Sequence, residues 1–276
     1  MKFSAEIIKS RQNRIVVDTI KLSDKKAREK VRQFRFDGIK LFGEAVEKGV
    51  CFVRILICES KMSALMPCIE QQGERLENTC VSVLADDVFA KVSEEHSPEG
   101  IVCVAEYPKN LFGKNDLENF QKVAADKTKR VMLLESVRDP GNMGTIIRSA
   151  AAFGVDALAV SSDCADICNS KTVRGAMGAL FKMNVFLFDD VCDAVELLKK
   201  SGRKVYAAAL DKNAVRLDET DFAHWDSAVI GNEGHGISDK TINACTQSLY
   251  IPMEAGSESL NAAIAASVIM WSMYRK

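Results

Sequence analysis

The chain has 276 residues, enough for one large domain or two ordinary ones, and its 47% hydrophobic and 27% charged residues are the balance of a soluble globular protein. With 37 basic against 38 acidic side chains, bulk charge excludes neither a polyanion nor an acidic partner. The distribution is uneven: residues 1–35 carry eleven Lys/Arg and four Asp/Glu, a net of +7 that leaves −8 elsewhere, and this fits either a phosphate-rich partner or a solvated basic helix.

Residues 1–20 show no strong period. Ser23 is placed to cap a charged helix running from Asp24 to about Arg35. Gly38 then breaks the chain before a short amphipathic helix over 39–48. A strand at 53–58, a helix at 61–72 and strands at 80–84 and 101–105 complete a small α/β unit over 1–107. The polar stretch 108–130, with turn formers Pro108, Asn110, Gly113 and Asn115 and a short helix from Asp116, reads as a linker.

From 131 to 276 strands and helices alternate. Strands are expected at 131–135, 156–161, 184–188, 204–210, 227–231 and 248–252. Helices are expected at 143–153, 170–180, 190–201, 238–244 and 259–273. Apolar strands in this alternation point to an α/β domain with a parallel sheet covered on both faces, whose ligands bind beyond the C-terminal strand ends. The helix 259–273 is apolar nearly all round and requires burial by the core or by another subunit.

Three glycine-bearing junctions sit at those strand ends. In DPGNMGTIIRSAAAFG (139–154), Pro140 and Gly141 break the strand, Asn142 and Gly144 belong to a turn, and Gly154 ends the helix. Arg148 is the one cation on that otherwise apolar helix, equally readable as a ligand contact or a snorkelling surface side chain. In GNEGHGIS (231–238), three glycines in six residues require close backbone approach, and Glu233 is the loop's carboxylate. The loop is neither G-x-G-x-x-G nor a P-loop, so a dinucleotide or nucleoside triphosphate is not supported. In IPMEAGSESLNAAIA (251–265), Ser259 is a natural N-cap and Asn261 lies in the first helical turn. A fourth stretch, RGAMGALFKMNV (174–185), places Arg174 near two glycines.

The nine cysteines include no C-x-x-C pair, and Cys164 and Cys168 lack partners for a metal site. Three dispersed histidines add none, so no metal is expected. An odd cysteine count without a secretory signal reads as reduced thiols in the cytosol. The most apolar run, 260–271, is too short to span a bilayer.

Taken together, in this order and spacing, the three junctions resemble the motifs of the SpoU (TrmH-type) branch of the SPOUT RNA methyltransferases, and RGAMGALFKMNV also fits. Residues 20–105 resemble, more loosely, the ribosomal-protein-L30e-like substrate-binding domain of many members. The resemblance implies a C-terminal catalytic domain over 131–276 ending in a trefoil knot, which no periodicity reveals. It implies methyl transfer from S-adenosylmethionine to a ribose 2′-hydroxyl of RNA, and a homodimer through the C-terminal domain. Its cofactor-binding positions fall on Gly231, Ile251 and Leu260. Its catalytic positions fall on Arg148, Asn142, Glu233, Ser259 and Asn261. A guanidinium holds its proton far above neutral pH, so Arg148 is better suited to steady an oxyanion or a phosphate than to act as a base. An L30e-like domain tilts the substrate toward 23S ribosomal RNA over tRNA, with the basic run 21–35 touching phosphates. No DNA or membrane partner is expected. The alternatives are a tRNA ribose methyltransferase and a non-catalytic RNA-binding protein that keeps the fold.

Overall fold

The chain opens with two elements that carry no strong periodicity, strand β1 (Lys2–Ile8) and helix α1 (Arg14–Lys21), the latter capped by the Asn13 side chain. Helix α2 (Lys25–Val31) follows and is capped by Asp24, not Ser23, because the Asp24 carboxylate accepts from the Ala27 N–H. It stops at Arg32, whose left-handed φ of 56° turns the chain into strand β2 (Gln33–Asp37) where the sequence suggested more helix. Then come α3 (Ile39–Glu47), β3 (Phe52–Cys58), α4 (Met62–Glu70), β4 (Cys80–Leu84), α5 (Asp86–Val92) and β5 (Ile101–Glu106).

The expected linker is ordered structure: β6 (Leu111–Phe112) and α6 (Leu117–Ala125). The remainder alternates as β7 (Val131–Leu134), α7 (Pro140–Ala152), β8 (Ala157–Ser161), α8 (Ser170–Ala176), β9 (Asn184–Phe188), α9 (Val191–Lys200), β10 (Val205–Ala208), β11 (Val215–Arg216), β12 (Ser227–Ile230), α10 (Asp239–Ala244), β13 (Gln247–Tyr250) and α11 (Ala262–Tyr274). This computed structural model describes residues 1–114, 116–254 and 259–275. Asn115, expected in a turn, and the Gly/Ser loop at 255–258 lie outside the described residues.

Two compact units result: residues 1–108 with 166–181, and residues 109–165 with 182–276. Residues 166–181, expected in the second domain, thus pack with the first. The first unit holds a mixed five-stranded sheet in the order β1-β4-β3-β5-β2, with β1, β4 and β3 parallel and β5 antiparallel to both its neighbours. One part of its core joins Val16, Leu56, Leu84, Val88 and Phe89. Elsewhere Phe34 and Phe36 meet Phe181 from the 166–181 segment. Two cations of the basic run are spent inside this unit. Arg28 is 3% exposed and pairs with Asp166 while donating to the Leu22 and Ser23 carbonyls, and Arg35 is buried against Glu94 and the Val92 carbonyl. They are not available to phosphates; Lys21, Lys25, Lys26, Lys30 and Arg32 remain exposed.

The second unit is built on an eight-stranded sheet, parallel throughout, in the order β11-β13-β10-β12-β7-β8-β9-β6. Phe120, Leu133, Ala159, Phe186, Val195, Leu198 and Val229 share one core cluster. Helices α7 and α11 pack together, and Ile146, Ile147 and Ala150 of α7 and Ala266, Ile269 and Met270 of α11 are buried. Each large apolar side chain so buried contributes roughly 1.5–3 kcal/mol. The other side of α11 leaves Ile264 and Trp271 about half exposed, at 54% and 51%.

Strand order decides where the site lies. From β7 the chain steps outward through β8 to β9, then crosses back to β10 and β12, so β7 and β12 are neighbours although 93 residues separate Leu134 from Ser227. Their following loops therefore leave the sheet side by side, at the kind of switch point where parallel sheets bind ligands.

Candidate active site

The loop after β7 feeds α7, which starts earlier than the sequence suggested. Asp139 is the N-cap, its carboxylate accepting from the Asn142 N–H at 2.7 Å, and Pro140 sits in the first turn where a missing N–H costs nothing. Asn142 and Gly144 are thus helical residues, not turn residues. The arrangement turns the Asn142 amide toward the loop after β12.

That loop is a tight hairpin. Asn232 and Gly236 exchange two backbone hydrogen bonds, leaving Glu233, Gly234 and His235 at the tip. Gly231 is required by the hairpin itself: a Cβ there would lie 2.3 Å from the Gly236 carbonyl carbon and 2.5 Å from the Ile237 nitrogen. Gly236 adopts a φ of +70°, which glycine takes without penalty.

The two loops meet through side chains. The Asn142 Nδ2 donates to Glu233 Oε1 at 2.9 Å, and the Arg138 backbone N–H reaches Glu233 Oε2 at 3.4 Å. The third junction joins them: Asn261 Nδ2 donates to Asn142 Oδ1 at 2.9 Å. Asn261 is also the N-cap of α11, accepting from the Ala263 and Ile264 N–H groups. Ser259 was the expected cap; it is exposed instead and the helix begins three residues later, because the longer Asn261 amide both caps and reaches Asn142. Partial burial alone would push the Glu233 carboxyl up, but hydrogen bonds from Asn142 and from nearby backbone N–H groups outweigh it and hold the group below its ordinary value.

Beside this chain of amides and carboxylate opens a cleft of about 660 Å³, the size of a small-molecule site. Gly231, Ile251 and Leu260 line it, as do Glu233, His235 and Ser259. Its walls combine apolar side chains such as Ile230, Leu249 and Ile269 with the backbone of the hairpin, a setting that suits a flat heteroaromatic ring with polar edges. Arg148 stands apart. It is exposed on α7, six residues and so roughly 9 Å of helix beyond Asn142, and it makes no hydrogen bond or ion pair among the described residues. Its neighbour Ser149 accepts from Ser267 of α11 at 2.7 Å, so the helix that carries Arg148 is pinned.

The residues that hold this geometry carry little signal in the sequence. Asn232 accepts from the Gly234 and His235 N–H groups and donates to the Ser136 carbonyl at 2.7 Å. Ser136 itself has a left-handed φ of 56°, its N–H donating to Ser161 Oγ and its hydroxyl to Asp163. Glu135 accepts from the Ser238 N–H and hydroxyl and from the Thr241 hydroxyl, tying the end of β7 to the start of α10. An asparagine between glycines is a recognisable turn signal. The Ser136 and Glu135 pairings have partners 25 to 106 residues away and leave no local trace.

Comparison with known proteins follows the same lines. The profile of the SpoU rRNA Methylase family matches residues 129–271, just over half the chain. The chain belongs to the SpoU family. An MRM3-like substrate binding domain matches residues 13–103. A Bacillus subtilis relative, the 23S rRNA (guanosine(2553)-2′-O)-methyltransferase RlmP, is 32% identical over 96% of this chain and 98% of its own length. A Streptomyces viridochromogenes 23S rRNA (uridine(2479)-2′-O)-methyltransferase is 27% identical over 99% of this chain and 93% of its own. Among solved structures, the SpoU methyltransferase AviRb of Streptomyces viridochromogenes in complex with AdoMet superposes with a TM-score of 0.79 at 26% identity, covering 96% of this chain and 98% of that one. The matched span 129–271 contains all three junctions. Among the described residues no cluster of His, Cys, Asp or Glu fits a metal ion, and no helix is long and apolar enough to cross a membrane.

Proposed function

We propose that this protein transfers a methyl group from S-adenosylmethionine to a ribose 2′-hydroxyl of RNA, with 23S ribosomal RNA as its substrate. The observation that carries the reading is the convergence of three distant junctions, Asn142, Glu233 and Asn261, beside one cleft of cofactor size. Ribosomal RNA is favoured over tRNA by full-length relatives named for 23S rRNA.

The cofactor supplies an electrophilic methyl group. Gly231, Ile251 and Leu260, which line the cleft, would hold it, the glycine through its backbone and the other two by apolar contact. Methyl transfer forms the O–CH3 bond as the S–CH3 bond breaks and gives up the hydroxyl proton to water, and it needs nucleophile, methyl carbon and leaving sulfur in line, so positioning is a large part of the rate. Asn142 and Glu233 orient the ribose, and Asn261 and Ser259 complete the wall facing it. The exposed guanidinium of Arg148 lies on the substrate side, where it steadies negative charge developing on the ribose oxygen or holds the adjacent phosphate.

In this reading the 1–107 region is an L30e-like domain that binds RNA, and the exposed lysines of 21–30 meet its phosphates. The catalytic region ends in a trefoil knot. Support for the knot is that α11 packs on α7 although the strand before it, β13, lies beyond β10 and β12 in the sheet. The protein acts as a homodimer through α11, in the cytoplasm where ribosomal RNA is processed.

The test is direct. Tritiated S-adenosylmethionine is expected to label 23S ribosomal RNA on ribose, recovered as dinucleotides resistant to alkaline hydrolysis. Arg148→Ala is expected to abolish labelling while calorimetry shows cofactor binding unchanged. Label on a base, or full activity of the variant, would sink the reading.

A further inference from the structure

We infer that Asn232 is a positioning residue for methyl transfer, setting the orientation of Glu233 by clamping the 231–238 hairpin to the loop that launches α7. The inference rests on the methyl-transfer reading and deepens it.

Asn232 uses both ends of its amide. Its Oδ1 accepts from the Gly234 and His235 N–H groups at 2.8 and 3.1 Å, closing the hairpin tip from inside. Its Nδ2 donates across to the Ser136 carbonyl at 2.7 Å, 96 residues away. The carbonyl it meets belongs to a residue at a left-handed φ, a conformation that L side chains other than glycine adopt only under constraint. Ser136 is held there by Ser161 and Asp163 as well, so the receiving side of the clamp is fixed independently of the hairpin.

Two residues beyond Ser136 the Arg138 N–H meets Glu233, and six beyond it Asn142 meets Glu233 again. One residue after Asn232, therefore, the Glu233 carboxylate is aimed at the same loop that Asn232 grips. Without the Nδ2 contact the hairpin would still be tied at its base, where Ser238 donates to Glu135, but its exposed tip would be held to that loop only through the Glu233 bonds. Those bonds involve an exposed carboxylate and compete with water. A rigid support behind a reacting group is what fixes its geometry.

The side chain chemistry gives a selective substitution. Asn232→Asp keeps an oxygen to accept from Gly234 and His235 but is acceptor-only when ionised, and so faces the Ser136 carbonyl without a proton. The hairpin keeps its internal bonds and its base contact through Ser238, and loses the clamp next to Glu233.

The experiment measures methyl transfer to 23S ribosomal RNA transcribed in vitro for the unaltered chain, Asn232→Asp, Glu233→Gln and the double variant, with cofactor affinity by calorimetry and melting temperature alongside. A roughly tenfold or greater fall in kcat for Asn232→Asp is expected, with cofactor Kd within about threefold. The double variant is expected to be no slower than Glu233→Gln, since Asn232 acts through Glu233. Unaltered kcat in Asn232→Asp, or losses that multiply in the double variant, overturns the inference. A drop in melting temperature with kcat retained does the same. Should the aspartate variant not fold, Asn232→Ser is judged by the same cycle. Absence of labelling by the unaltered chain overturns the methyl-transfer reading and this inference with it; labelling with an indifferent Asn232→Asp overturns the inference alone.

Discussion

Glu233 feels two opposing influences, and their balance has a measurable consequence. Burial favours its neutral form, while the Asn142 amide and the surrounding backbone N–H groups favour the carboxylate and prevail. A carboxyl whose folded value is depressed adds stability that is complete above the ordinary glutamate value and disappears as pH falls through the lower folded one. The advantage of the unaltered chain over Glu233→Gln in denaturant midpoint is therefore expected to hold from neutral pH down to the ordinary glutamate range and to shrink below it. Because the side chain is exposed, the difference is small; an advantage that grows on acidification would contradict the assignment. At this scale the sequence pointed to the residues that the structure joins by hydrogen bonds and hid their supports. Asn142, Glu233 and Asn261 stand in glycine-rich junctions and invite attention. Glu135, Ser136 and Asp163 look like ordinary polar residues until their distant partners are known.

Among the elements, helix α6 illustrates support from afar. Its C-terminal carbonyls have no helical partners, and Arg203 supplies them: the buried guanidinium donates to the carbonyls of Val123, Ala124 and Asp126, and also to those of Lys129 and Trp225. Arg203→Met keeps the bulk but strands these acceptors, and is expected to cost on the order of 3 kcal/mol in urea unfolding. Elements with a strong local signal were legible. The strands at 80–84 and 184–188 fall where the apolar runs end, and Gly38 and Gly154 mark helix boundaries with left-handed φ. Others were not. β6 and β11 are two residues long and exist only as edge partners of longer strands. β2 read as helix because Arg35 looked like one more surface cation, whereas it is a buried residue paired with Glu94, 59 positions away.

For the whole molecule, the parallel sheet could be read from the alternation of apolar strands, and its strand order could not. That order turns three separate motifs into neighbours, and it also leaves α11 with one apolar side packed on α7 and one facing out. In the proposed homodimer through α11 this outward side is the contact, and Trp271→Glu is expected to leave monomers in light scattering while the circular dichroism spectrum stays the same. A variant that remains dimeric would place the contact elsewhere. The 166–181 segment carries a related lesson. Its place in the strand–helix alternation suggested the second unit, but Asp166 pairs with Arg28 and Phe181 meets Phe34 and Phe36, and neither partner could be named from local pattern.

The two tryptophans of the chain sit in different company. Trp225 is half-buried beneath the Lys127 ammonium, whereas Trp271 lies in the open on α11 with the Arg275 guanidinium 4.8 Å from its ring centre. The protein thus contains its own optical reporter. In Trp225→Phe the remaining indole emission comes from Trp271 alone, and its wavelength and quenching by iodide register whether that face of α11 is wet or covered, without any label being attached.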